Sequence, residues 1–103
     1  MPGPTSTVHI VIFRLRPDAD PGAFLHVTDQ MLQWLRKQPG FVDYELYRGE
    51  PGQDWADRLV WRTPGDAERA RERFATTQVF AELTKYVEDD YRSVVAHPVP
   101  LAS

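Results

Sequence analysis

The chain contains no cysteine, which excludes disulfides, thiolate metal sites and cysteine nucleophiles. It lacks the run of roughly 18 consecutive apolar residues that a membrane-spanning helix needs. Its N terminus, M-P-G-P-T-S-T, has no basic stretch followed by a long apolar one, so no secretory leader is expected. These absences point to a cytoplasmic protein with no membrane partner. Excess positive charge is also missing. A formal net charge of -3 and a pI near 5.5 argue against a nucleic-acid partner, whose phosphates call for a basic face. The three histidines include no pair at helical ligand spacing, and no H-E-x-x-H, glycine-rich nucleotide-binding or nucleophile-elbow word occurs. Neither a metal nor another cofactor is expected.

What is present is the composition of an ordinary folded domain, 42% apolar and 26% charged over 103 residues. The expected organisation is a flexible N-terminal tail at 1–7, one folded domain at 8–99 and a C-terminal tail at 100–103. From Val8 to Leu15 the sequence V-H-I-V-I-F-R-L is nearly continuous in apolar residues and reads as a central strand covered on both faces. Asp20-Pro21 is a cap followed by a first-position proline. The helix it opens runs to about Lys37, and Pro39-Gly40 stops it.

Phe41 to Arg48 alternates as a strand with one solvated face, which places Val42, Tyr44 and Leu46 on one side and Phe41, Asp43, Glu45 and Tyr47 on the other. A turn at 49–52 leads to the strand containing Leu59, Val60 and Trp61. Thr63-Pro64-Gly65-Asp66 then caps a helix whose Ala67, Ala70 and Phe74 form the buried stripe. Thr76-Thr77-Gln78 interrupts or recaps it, and a further helical stripe follows through Val79, Phe80, Leu83, Tyr86 and Val87. Tyr91 to Val99 is the last strand. The order strand, helix, strand, strand, helix, strand predicts a ferredoxin-like α+β domain. Two helical regions cover only one face of such a sheet, so a second copy of the chain is expected on the other, as a homodimer.

Three stretches, H-I-V-I-F-R-L from His9, Q-P-G-F followed by E-L-Y-R, and D-R-L-V-W-R-T-P-G-D-A-E-R-A from Asp57, together resemble the dimeric α/β-barrel superfamily, in its antibiotic biosynthesis monooxygenase-like branch. The resemblance spans about residues 8–97. It implies a β-α-β-β-α-β protomer whose sheet pairs with that of a second copy into a barrel, with a ligand cavity between sheet and helices. It also implies cofactor-independent oxygenation of an aromatic or polyketide-like small molecule. Polyketide cyclisation at a non-standard site is one alternative, and a non-catalytic small-molecule-binding or structural dimer is another. His9 matches a cavity-facing histidine on the first strand of the polyketide-cyclase branch, which places Val11 and Phe13 on the same wall.

Read from the residues themselves, His9 is the candidate catalytic group, because a neutral imidazole can accept or donate a proton near neutral pH. A hydrogen-bonded structural histidine explains it as well. Trp61 can stack on a flat aromatic substrate or fill the core, and Tyr44, Tyr47 and Tyr86 can donate hydrogen bonds to a phenolate or carbonyl. Phe74 and Phe80 are candidate pocket walls. Asp57 and Glu45 are further candidate bases. Trp34 belongs to the packed helix stripe, Arg69, Arg71 and Arg73 to a solvated face, and His26 and His97 to the surface or to structural roles.

Overall fold

The computed structural model describes residues 6–50 and 54–102. Among these, β1 (Thr7–Arg14), α1 (Pro21–Leu35), β2 (Phe41–Arg48), β3 (Asp54–Trp61), α2 (Pro64–Phe74), α3 (Gln78–Leu83) and β4 (Arg92–Ala96) follow in chain order. The strands form one antiparallel sheet in the order β2-β3-β1-β4, and the helices pack on one face of it. This is the expected ferredoxin-like α+β arrangement, with the second helical region divided in two.

The helices begin where side chains satisfy the free backbone donors of the first turn. Asp20 accepts hydrogen bonds from the amides of Gly22 and Ala23 at 3.3 and 3.2 Å, and Pro21 occupies the first helical position. Thr63 accepts from the Asp66 amide at 3.1 Å. Thr77 does the same for Phe80 at 3.1 Å, so the threonine pair recaps the chain into α3. Gly40 has φ +80, and a Cβ there would collide with the Asp66 side chain. Its carbonyl accepts from the Arg62 amide at 2.8 Å, which ties the turn after α1 to the start of α2.

Several element limits differ from the sequence reading. Thr7, assigned to the tail, pairs with Trp61 in β1, and Ser6 and Thr7 are both buried. The remainder of that tail, residues 1–5, lies outside the described residues, as do 51–53 of the expected turn and Ser103 of the C-terminal tail. Helix α1 ends at Leu35, short of Lys37, and β4 is shorter than Tyr91 to Val99. In β2 the register shifts between Phe41 and Asp43. This bulge inserts one residue into the alternation, so Phe41 meets Trp61 edge to face at 5.6 Å instead of sharing a side with Asp43, Glu45 and Tyr47. Val42 is left exposed.

The core has two neighbouring parts on the helix side of the sheet. Met31 and Leu35 of α1, Ala70 of α2 and Trp61 of β3 form one. Phe13, Phe24 and Trp55 form the other, with Phe24 packing edge to face on Phe13 at 5.7 Å and on Trp55 at 5.3 Å. The segment after α3 is fastened to the end of β1 by hydrogen bonds from Arg16 N to Tyr86 O at 2.7 Å and from Glu88 N to Arg14 O at 2.9 Å.

The opposite face of the sheet carries Val8, Ile10 and Ile12 of β1, cross-paired with Ala96, Val94 and Arg92 of β4 respectively. Ile12 is 42% and Val94 56% exposed. Beside this apolar strip runs a polar one, where Arg58 of β3 bridges Asp43 at 3.0 Å and Glu45 at 3.1 Å on β2, and the Tyr47 hydroxyl donates to Glu45.

Candidate functional site

Strand periodicity and register assemble the site. Positions 9, 11 and 13 of β1 alternate onto the helix side, and the pairing of His9 with Leu59, Val11 with Asp57 and Phe13 with Trp55 brings the matching face of β3 beside them. On the far side of β3, Tyr44 of β2 stands opposite Leu59, and Leu46 opposite Asp57. Between this face and the helices is a cavity of about 450 Å³, within the range of small-molecule sites. Helix α1 contributes Phe24, Thr28 and Met31, α2 contributes Ala70, Arg71 and Phe74, and α3 contributes Phe80 and Leu83. The alanine stripe of α2 lets that helix approach the sheet closely, while Phe74 bridges Trp34 at 5.1 Å and Phe80 at 5.7 Å to form an aromatic wall.

Seven of the residues named from sequence, His9, Val11, Phe13, Tyr44, Trp61, Phe74 and Phe80, surround this one space. Tyr86 does not. It packs beside the Phe13–Phe24–Trp55 cluster, in the segment that follows the end of α3 at Leu83. Glu45 and Tyr47 lie on the opposite face of the sheet, where Glu45 accepts hydrogen bonds from Tyr47 and Arg58. His26 is exposed on α1, and His97 Nδ1 lies 3.4 Å from the Ser6 carbonyl oxygen.

Two residues placed elsewhere by sequence reasoning also face the cavity. Trp34 of the α1 stripe is one and Arg71, expected on a solvated face, is the other. Arg71 reaches from α2 close enough to His9 to oppose its protonation.

The chemistry concentrates at His9, Asp57 and Tyr44. Burial, and secondarily the charge of Arg71, lower the pKa of His9, so its imidazole is neutral at pH 7. Asp57 is a carboxyl on an otherwise apolar wall. Burial pushes its pKa up to about 6, only partly opposed by a hydrogen bond from Tyr44. The Tyr44 hydroxyl donates to Asp57 Oδ2 at 3.2 Å, and its own pKa is raised by burial and then by the neighbouring carboxylate. Asp57 Oδ1 is buried and has no hydrogen-bond partner among the described residues. The signal in sequence was W-A-D-R-L-V-W, where an acid occupies an inward position between Trp55 and Leu59. The cavity therefore offers a carboxyl whose pKa is raised to about 6 and a neutral imidazole, inside aromatic and aliphatic walls. Among the described residues, no three His, Cys, Asp or Glu side chains are grouped to hold a metal ion, and no helix is long and apolar enough to cross a membrane.

A four-stranded antiparallel sheet backed by helices, with a chamber between the two layers, is a ferredoxin-like α+β fold. No protein-family model matches the sequence, and no curated protein matches it. Solved structures do. A variant of SnoaB, a cofactor-independent oxygenase from Streptomyces nogalater, superposes with a TM-score of 0.82 at 16% identity, covering 94% of this chain and 96% of that one. Rv0793 from Mycobacterium tuberculosis matches with a TM-score of 0.77 at 22% identity, over 95% and 99% of the two chains. An antibiotic biosynthesis monooxygenase gives 0.69 at 17%, over 91% and 99%. At these identities the likeness establishes the fold.

Proposed function

We propose that this chain is a cytoplasmic, homodimeric, cofactor-independent monooxygenase that acts on an aromatic or polyketide-like small molecule. The observation that carries the reading is the cavity itself: about 450 Å³ of mostly apolar space into which a neutral imidazole and a carboxyl of raised pKa both project. Apolar walls bind and orient a flat substrate, and Trp61 and Phe74 offer faces on which it can stack. The substrate supplies the electrons. Once ionised, an electron-rich ring reacts with molecular oxygen, and a ring methylene plus one O2 gives a ring carbonyl plus water without an outside reductant. The protein's share is to exclude bulk water, fix the ring and move protons, with His9 assisting removal or delivery of one of them. The solved cofactor-independent oxygenase of the same fold supports this reading.

The homodimer is part of the proposal. The strip of Val8, Ile10, Ile12 and Val94 lies on the face opposite the helices, where a second sheet would bury it.

Oxygen uptake by the purified protein, with hydroxylated polycyclic aromatics and no added flavin, nicotinamide or metal, tests the reading. Acceleration over buffer is expected, with a loss of about 10²-fold in His9→Ala. Unchanged turnover in that variant removes His9 from the chemistry. Ligand binding without turnover favours a non-catalytic binding dimer. A carboxyl and an imidazole in one apolar chamber also suit the proton transfers of an aldol-type cyclisation, and product formation that persists under nitrogen would select that alternative.

A further inference from the structure

We infer that Asp57, held in place by Tyr44, takes the hydroxyl proton of an aromatic substrate seated in the cavity, so that the substrate class is a phenol and not its ether or quinone. The inference rests on reading the cavity as the seat of a hydroxylated aromatic, and it adds the group that ionises it.

Asp57 sits at the centre of the inward face of β3, between Trp55 and Leu59, opposite Val11 on one side and Leu46 on the other. All four of these neighbours are apolar, and a packed sheet face gains nothing from a carboxyl there. One oxygen, Oδ2, accepts from the Tyr44 hydroxyl at 3.2 Å. The other is buried with no partner among the described residues, which leaves acceptor capacity that a carboxylate normally fills. The terminal torsion of an aspartate is soft and two-fold, so either oxygen can turn to a ligand while the other keeps Tyr44. The remaining charged and titratable groups around the cavity are His9 of β1, Arg71 of α2, and Glu88, Asp89 and Tyr91 in the segment before β4. Asp89 is paired with Arg16 at 3.3 Å, and Arg71 acts on His9. Among the described residues, none of these groups is hydrogen-bonded to Asp57, whereas Tyr44 is.

The step is a simple proton transfer. The substrate O–H bond breaks, the proton passes to a carboxylate oxygen of Asp57, and the electron pair stays on the substrate oxygen as a phenolate. Tyr44 is a positioning residue, since it holds Oδ2 and steadies the ionised carboxylate. A quinone or a methyl ether has no proton to give and leaves the buried carboxylate unpaired, which disfavours both.

The test compares wild type, Asp57→Asn, Asp57→Leu and Tyr44→Phe, each checked for folding by circular dichroism. In oxygen-uptake assays, Asp57→Asn should lower kcat by about 10²-fold or more with KM within about threefold, because the amide keeps the shape and loses the base. Wild-type kcat/KM should fall as pH drops through about 6. Tyr44→Phe removes a hydrogen bond that favours the ionised carboxylate, so this acid limb should move to higher pH, a displacement that a merely structural tyrosine would not cause. Full activity in Asp57→Asn, or an acid limb unmoved in Tyr44→Phe, overturns the assignment.

A second arm needs no turnover. Quenching of tryptophan fluorescence should show naphthol binding wild type about tenfold more tightly than methoxynaphthalene, and Asp57→Leu should abolish that preference. If no compound is oxygenated yet the preference is present and disappears in Asp57→Leu, the oxygenase reading fails and the proton-accepting seat stands. If wild type shows no preference, or Asp57→Leu retains it, the seat itself is refuted.

Discussion

Asp57 should make the protein less stable as pH rises from acid to neutral, and the size of the effect follows from its surroundings. Its carboxyl titrates at about 6 in the fold against 3.8 for the unperturbed group, because burial disfavours the charged form more than the Tyr44 hydrogen bond favours it. A raised folded-state pKa means that the native state holds the proton where the unfolded chain has released it. The contribution to stability is therefore complete below about pH 3.8 and is lost as pH climbs through about 6. At about 1.4 kcal/mol per pH unit, the gap corresponds to about 3 kcal/mol.

Other groups act in the opposite direction. The lowered pKa of His9 makes stability rise with pH up to about its unperturbed value. The lowered carboxyls of Glu45, Asp66 and Glu82, held by exposed hydrogen bonds and ion pairs, do the same at lower pH. The clean quantity is thus the difference between Asp57→Asn and wild type, measured by urea unfolding at pH 4 and pH 8 at one protein concentration. The amide cannot ionise, and any fixed cost of placing it there is the same at both pH values. The variant should gain about 2.5 kcal/mol on wild type between pH 4 and pH 8, a relative rise in Tm on the order of 10 °C. Parallel stability curves would refute the claim that Asp57 is buried at an energetic cost and, with it, the reason for regarding the residue as functional.

The remaining predictions concern the frame and the outer face. Gly40→Ala should lose about 2 kcal/mol or more in denaturant unfolding, since φ +80 and contact with Asp66 both penalise a Cβ there. Thr63→Ala removes the side chain that caps α2 and should cost about 1 kcal/mol, whereas Thr63→Ser should restore most of it. Val94→Lys places a charge in the exposed apolar strip. Sedimentation should find wild type as a dimer and this variant shifted to monomer at micromolar concentration, and a wild type that remains monomeric at high concentration would count against the paired-sheet assembly.

Local chemistry and periodicity determined much of this protein before any coordinates. Asp20-Pro21, Thr63-Pro64 and Thr77 mark helix starts through hydrogen bonds made within a few residues, and the alternation in V-H-I-V-I-F-R-L assigns His9, Val11 and Phe13 to one face whatever lies opposite. The element order followed, and the ferredoxin-like fold with it. What depended on register and distance was not legible. A single inserted residue in β2 moved Phe41 from the outer side into contact with Trp61, and Tyr86, beyond the end of α3 at Leu83, packs on the Phe13–Phe24–Trp55 cluster instead of the cavity wall. Asp57 was visible as an acid on a strand, but its altered proton affinity arises from being buried beside Tyr44, which is 13 positions away in sequence. Burial and cross-strand pairing are properties of the assembled sheet, so only the tertiary structure could distinguish the acid at Asp57 from the solvated one at Glu45.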